Sequence, residues 1–128
     1  MTDTGLPDGV RRFITRHIDS VEQLETLLLL SRAPDAEWTP GAVAAALYTQ
    51  PASAARRLAS LAEHGLATLV DEARYRFSPA GQRVIDDVEE LAAAYKERRV
   101  AVITLIASRP MDNVRAFSDA FQIRKKDP

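Results

Sequence analysis

The 128-residue chain has the size of one domain, and 46% hydrophobic with 27% charged side chains puts it in the globular range, away from the composition of disordered chains. It has no cysteine, which excludes disulfides, thiolate metal sites and a cysteine nucleophile. A formal net charge of -1 excludes coating of nucleic acid by bulk charge, so any DNA contact must come from a local patch.

Residues 1–8 are acidic and polar, without the basic stretch and apolar run of a signal peptide. The longest nearly uniform apolar stretch, residues 100–107, is far shorter than the roughly 20 residues of a membrane span. A soluble, cytoplasmic protein that does not enter membranes is therefore expected. In the first predicted helix, opened by Leu6-Pro7-Asp8, the residues Val10, Phe13, Ile14 and Ile18 recur at helical spacing, while Arg11, Arg12 and Arg16 mostly take the other side. Ser20 with Gln23 three positions on forms a capping box that starts a second helix, carried by Val21, Leu24, Leu27, Leu28 and Leu30 and stopped at Ala33-Pro34-Asp35.

Trp38-Thr39-Pro40 opens a short helix with Val43, Ala44 and Leu47 inward; threonine caps, and proline sits where its missing N–H is not needed. A second proline, Pro51, opens another helix through Ala54, Leu58, Leu61 and Ala62 to Gly65, a left-handed stop. From Leu66 the period becomes two, and residues 66–77 read as a hairpin with Tyr75 and Phe77 on one side and Arg74 and Arg76 on the other. Ser78-Pro79 is expected to cap a long helix running unbroken to Arg109-Pro110, on the order of 45 Å. Residues 111–123, with Val114, Phe117 and Phe121 on one face, are predicted to form a short last helix before the basic Arg124-Lys125-Lys126. The predicted fold is mainly α with a small β-hairpin, one compact domain. It divides into an N-terminal helix (residues 1–19), a winged helix-turn-helix (20–78), and a long helix plus short C-terminal helix (79–128).

The stretch PASAARRLASLAEHGLATL resembles the recognition-helix segment of bacterial MarR-like regulators. The resemblance covers about residues 21–88 and rests on Arg56, Leu58, Leu61, Gly65 and Leu66, with Trp38-Thr39-Pro40 ahead of them. It implies a winged helix-turn-helix transcriptional regulator binding double-stranded DNA as a homodimer. It also implies that Gln50 lies near the DNA backbone, and that relatives often bind small effectors between dimer helices and winged domain, although no residue here marks such a pocket. The single long C-terminal run departs from that family.

On a helical wheel Ala54, Leu58, Leu61 and Ala62 face inward, which puts Arg56 nearly opposite with Ala52, Ser53 and Ser60 around it. Arginine donates a bidentate pair to guanine, and small neighbours let a helix approach base edges, so Arg56 and Ser53 are the expected base readers. Arg57 at the flank, and Arg74 and Arg76 in the wing, are expected on phosphates or the minor groove, opposed by Asp71 and Glu72 at the wing tip. In the long helix Val88, Leu91, Tyr95 and Val102 form a coiled-coil-like seam, and the acidic Asp86, Asp87, Glu89 and Glu90 precede the basic Lys96, Arg98 and Arg99. An antiparallel copy crossing near Ala92 would match both, so Val88, Leu91, Ala92, Tyr95 and Val102 are the expected dimer interface.

The chain lacks a phosphate-binding glycine loop, a zinc-protease motif and a serine elbow, and has only His17 and His64 as histidines, so neither an enzyme nor a metal or cofactor site is expected. The alternative to DNA binding is a winged-helix module that docks onto another protein without touching DNA.

Overall fold

The computed structural model describes residues 5–108; the predicted last helix and basic tail lie outside them. In chain order the elements are α1 (Asp8–His17), α2 (Val21–Arg32), β1 (Glu37–Trp38), α3 (Pro40–Leu47), α4 (Pro51–Glu63), β2 (Ala67–Leu69), β3 (Tyr75–Phe77), α5 (Gln82–Glu97) and α6 (Arg99–Ala107). The first turns of α2, α3 and α4 are fixed by local chemistry. Ser20 Oγ accepts the Gln23 N–H at 3.0 Å, and Thr39 Oγ1 accepts the Ala42 N–H at 3.0 Å, so both hydroxyls satisfy donors that a helix start leaves unpaired. Pro40 and Pro51 stand in the first turns of α3 and α4, and Gly65 ends α4 with φ of 76°.

The wing is a three-stranded antiparallel sheet in the order β1-β3-β2, with Glu37 opposite Arg76 on one side and Thr68 opposite Arg76 on the other. The strand formed by Glu37 and Trp38 was not expected; its two residues are too few to show a period, and it exists because β3 offers it an edge. Leu24, Leu27 and Leu30 of α2, Val43 of α3, and Ala54, Leu58 and Leu61 of α4 are completely buried together. Each large side chain among them contributes about 1.5–3 kcal/mol by leaving water. Val10, Phe13 and Ile14 of α1 extend the same core towards α5 and α6.

The expected long helix is divided. Ser78 remains in the wing, its N–H donating to the Leu66 carbonyl at 3.0 Å, and α5 begins later at Gln82 behind Gly81 without a side-chain cap. At Arg98, with φ of -133° and ψ of 54°, the helix stops and α6 starts. The reason is in the composition: residues 100–107 are apolar apart from Thr104, and redirecting them at Arg98 lets α6 pack on α1 and bury Val102 and Ile106. The same packing corrects the dimer seam, because Val88, Leu91, Tyr95 and Val102 are buried within the protomer's own core and Ala92 is half-buried beside them.

Candidate nucleic-acid interface

Helices α3 and α4 are joined by a turn that closes on one carbonyl, the Ala44 oxygen accepting from both Tyr48 N–H and, at 3.0 Å, Thr49 N–H. Tyr48 takes a left-handed conformation there, with φ of 58° and ψ of 46°. Gln50 follows as the N-cap of α4, exposed and without a side-chain cap bond. With Ala54, Leu58 and Leu61 buried, the opposite side of α4 carries Ala52, Arg56, Ala59 and Glu63, all exposed. Arg56 is thus the only bulky cation on that ridge, flanked by alanines four residues before and three after it. Its guanidinium has no ion pair among the described residues.

Its neighbours are used differently. The Glu22 carboxylate, from the first turn of α2, accepts hydrogen bonds from the Ser53 hydroxyl, from the Thr49 hydroxyl and from Arg57 Nε at 2.8 Å. Asp19 adds a second, looser contact to Arg57 at 3.8 Å. The three donors, Ser53 first, then Thr49 and Arg57, hold the Glu22 pKa down at about 2 against its ordinary 4.5. Placing Ser53 among the base readers therefore needs correcting: its hydroxyl faces α2 and is occupied, because a carboxylate that α4's own sequence cannot reveal approaches from another helix. Arg57 likewise meets Glu22 and Asp19 rather than open solvent.

The wing repeats this division. Asp71 accepts from the backbone N–H groups of Ala73 and Arg74, each at 3.2 Å, and holds the Arg74 guanidinium through Nε at 2.9 Å and through Nη2; Glu37 lies 3.5 Å from Nη1. These bonds, with the Asp71 to Arg74 contact foremost, lower the Asp71 pKa and raise that of Arg74. Arg76 is exposed and has no ion pair among the described residues.

The far end of α4 is tied to α1 and α2. The Nδ1 atoms of His17 and His64 share a hydrogen bond at 3.0 Å, and the fully buried Gln23 donates through Nε2 to the His17 carbonyl at 3.3 Å and to Ser60 Oγ at 3.0 Å. Burial, then the adjacent His64 and Arg16, lower the His17 pKa, partly countered by Asp87. Behind the wing, a cavity of about 400 Å³ is lined by apolar residues, among them Phe77, Pro79, Ile85 and Val88, and by the polar Ser31, Asp35, Arg76 and Glu89. Among the described residues no group of three or more His, Asp or Glu side chains is placed to hold a metal ion, and no helix is long and apolar enough to cross a membrane.

Sequence reasoning missed Glu22 and Tyr48. Nothing local marks Glu22, whereas Tyr48 carried a signal, an aromatic residue in the turn between two proline-led helices.

No family model and no curated protein matches the sequence. Among solved structures the chain is similar to MepR, a transcription regulator of the Staphylococcus aureus multidrug efflux pump MepA. The TM-score is 0.51 at 17% identity, covering 91% of this chain and 86% of that one. The likeness is one of fold, and it shows the winged helix-turn-helix architecture expected of a MarR-like chain.

Proposed function

We propose that this protein is a transcription regulator that binds double-stranded DNA sequence-specifically as a homodimer in the cytoplasm. The carrying observation is the outward ridge of α4: one arginine without an ion pair among the described residues, set between small residues, on the helix that this fold presents to the major groove. Arg56 is the base reader. Gln50 at the start of α4 and Arg76 in the wing make backbone contacts, and Arg57 and Arg74 add to them when phosphate competes with their carboxylates. The likeness to a transcription regulator supports the same reading. Nothing in this scheme requires catalysis, a cofactor or a metal.

The dimer reading rests on α6. Val100 is 76% exposed among the described residues, on the side of the helix that Thr104 and Ala107 continue with small side chains, a face that a second copy could approach closely. Paired copies set recognition helices about one DNA turn, roughly 34 Å, apart and read a two-fold symmetric site. The resemblance implies that relatives bind small effectors, and a ligand of the cavity behind the wing would have to match Asp35, Arg76 and Glu89 as well as the apolar Phe77, Ile85 and Val88.

The deciding experiment is a salt titration of binding to a mixed-sequence duplex. Phosphate contacts release counterions and give a steep negative slope of log K against log salt. Absence of binding even at low salt overturns the DNA reading and leaves the protein-docking module, a use to which a net charge of -1 is no obstacle.

A further inference from the structure

Tyr48 stands out on two independent counts. It is the sole non-glycine residue with positive φ among the described residues, in a left-handed conformation that crowds the β-carbon of any L-residue and is ordinarily filled by glycine or asparagine at a helix C-terminus. It is also 96% exposed, more than Val100, Leu69 or Val70, the other exposed large hydrophobics. Its ring covers no core, and its hydroxyl has no hydrogen-bond partner among the described residues. A tyrosine at this position thus contributes neither favourable backbone geometry nor packing to the folded chain.

The backbone beneath it is held firmly. The Tyr48 N–H is bonded to the Ala44 carbonyl, and the next residue, Thr49, is fixed twice, by its N–H to Ala44 and by its hydroxyl to Glu22. The phenol therefore projects from a fixed point beside Gln50 and Pro51, where α4 begins. In a helix-turn-helix the start of the recognition helix enters the groove, and groups just ahead of it meet the strand at the groove's edge.

We propose that Tyr48 is a positioning residue for DNA, its phenolic O–H donating a hydrogen bond to a backbone phosphate oxygen at the edge of the groove that α4 enters. The inference rests on the DNA-binding reading and deepens it. A neutral phenol donates to a phosphate without displacing a cation, so this contact strengthens binding to every sequence and leaves its salt dependence alone. That separates it from the arginines, each of which steepens the slope.

The test uses the full chain and a mixed-sequence duplex a few helical turns long. Tyr48→Phe keeps the ring and the backbone strain and removes only the donor; binding is expected to weaken by roughly 3- to 10-fold with an unchanged salt slope. Tyr48→Asn suits the left-handed turn, so Tm is expected to rise by a few degrees while affinity falls at least as far as in the Phe variant. Greater stability with weaker binding is what a purely structural tyrosine would not produce. A Tyr48→Phe protein that binds as tightly as the native one, or a Tyr48→Asn protein with undiminished affinity, overturns the proposal while the DNA reading stands. Failure of the unaltered protein to bind at low salt overturns both.

Discussion

Recognition helix and wing each carry two arginines, and each region ties one of them down while leaving the other open. In α4, Arg57 is gripped by Glu22 with Asp19 nearby, while Arg56, one residue earlier, has solvent around it. In the wing, Arg74 is wrapped by Asp71 and approached by Glu37, while Arg76 is open. The two ties differ in kind. Asp71 lies on the same loop as Arg74 and is itself exposed, so it shapes a turn, as its bonds to two backbone N–H groups show. Glu22 comes from a different helix and joins α2 to the α3–α4 turn and to α4, so it fixes the angle at which the outward ridge of α4 is presented. Net charge does not distinguish the two regions; the position of each carboxylate decides which cation remains for a partner.

The largest effect expected along this contrast is at Arg56. Arg56→Ala should weaken binding to the preferred duplex, selected from a random pool, by about 1–3 kcal/mol and relax the sequence preference at one position, read by titration of matched and mismatched duplexes. Equal loss on all sequences would make Arg56 a backbone contact like those of the wing. Next comes the tie itself. Because the Glu22 pKa lies at about 2 rather than 4.5, the folded chain favours the ionised carboxylate. Its stabilisation is complete above about pH 4.5 and is lost as pH falls towards about 2. Glu22→Gln should cost about 1–2 kcal/mol at neutral pH, reduced by solvent screening of a partly exposed group, and should flatten the acid limb of a pH series of denaturant unfolding.

Smaller again is the wing. Arg76→Ala is expected to lower duplex affinity by about 0.5–1 kcal/mol and the salt slope by about one unit, with Arg74→Ala doing less because its charge is already matched by Asp71. A reversed order would show that DNA strips Arg74 from its carboxylate. The smallest effect belongs to the other end of α4. The lowered His17 pKa means that the folded chain favours the neutral imidazole, so this contribution is whole above the ordinary value of 6.5 and declines as pH falls below it. His17→Gln should make Tm less sensitive to pH in that mildly acidic range, and an unchanged profile would place the sensitivity elsewhere.

Legibility from sequence followed the range of the interactions. The hydroxyl caps of α2 and α3, the proline-led starts, the Gly65 stop and the alternation of Tyr75 and Phe77 are governed by neighbours a few positions apart, and they were readable; the reciprocal half of the expected capping box was not, because the Gln23 amide turns instead to the His17 carbonyl and Ser60. The inward face of α4 was readable for the same reason, and with it the outward placing of Arg56. Ser53 was misjudged because its partner lies 31 residues away. The break at Arg98 was hidden because no proline or glycine marks it; it follows from where an apolar segment finds α1, a tertiary fact. The seam along α5 was a true periodicity attributed to the wrong partner, since a spacing of buried positions does not say whose core they enter.

Gln23 gives the assembly a mechanical property. Both bonds of its amide nitrogen, one to the last residue of α1 and one to α4, are made from inside the packed interior, so tilting α4 alone would strip a buried dipole of its partners. The first, second and fourth helices accordingly move as one body. On the proposed reading of a DNA-binding dimer, adjustment to an operator would then fall to the distance and angle between whole copies, leaving the internal shape of each intact.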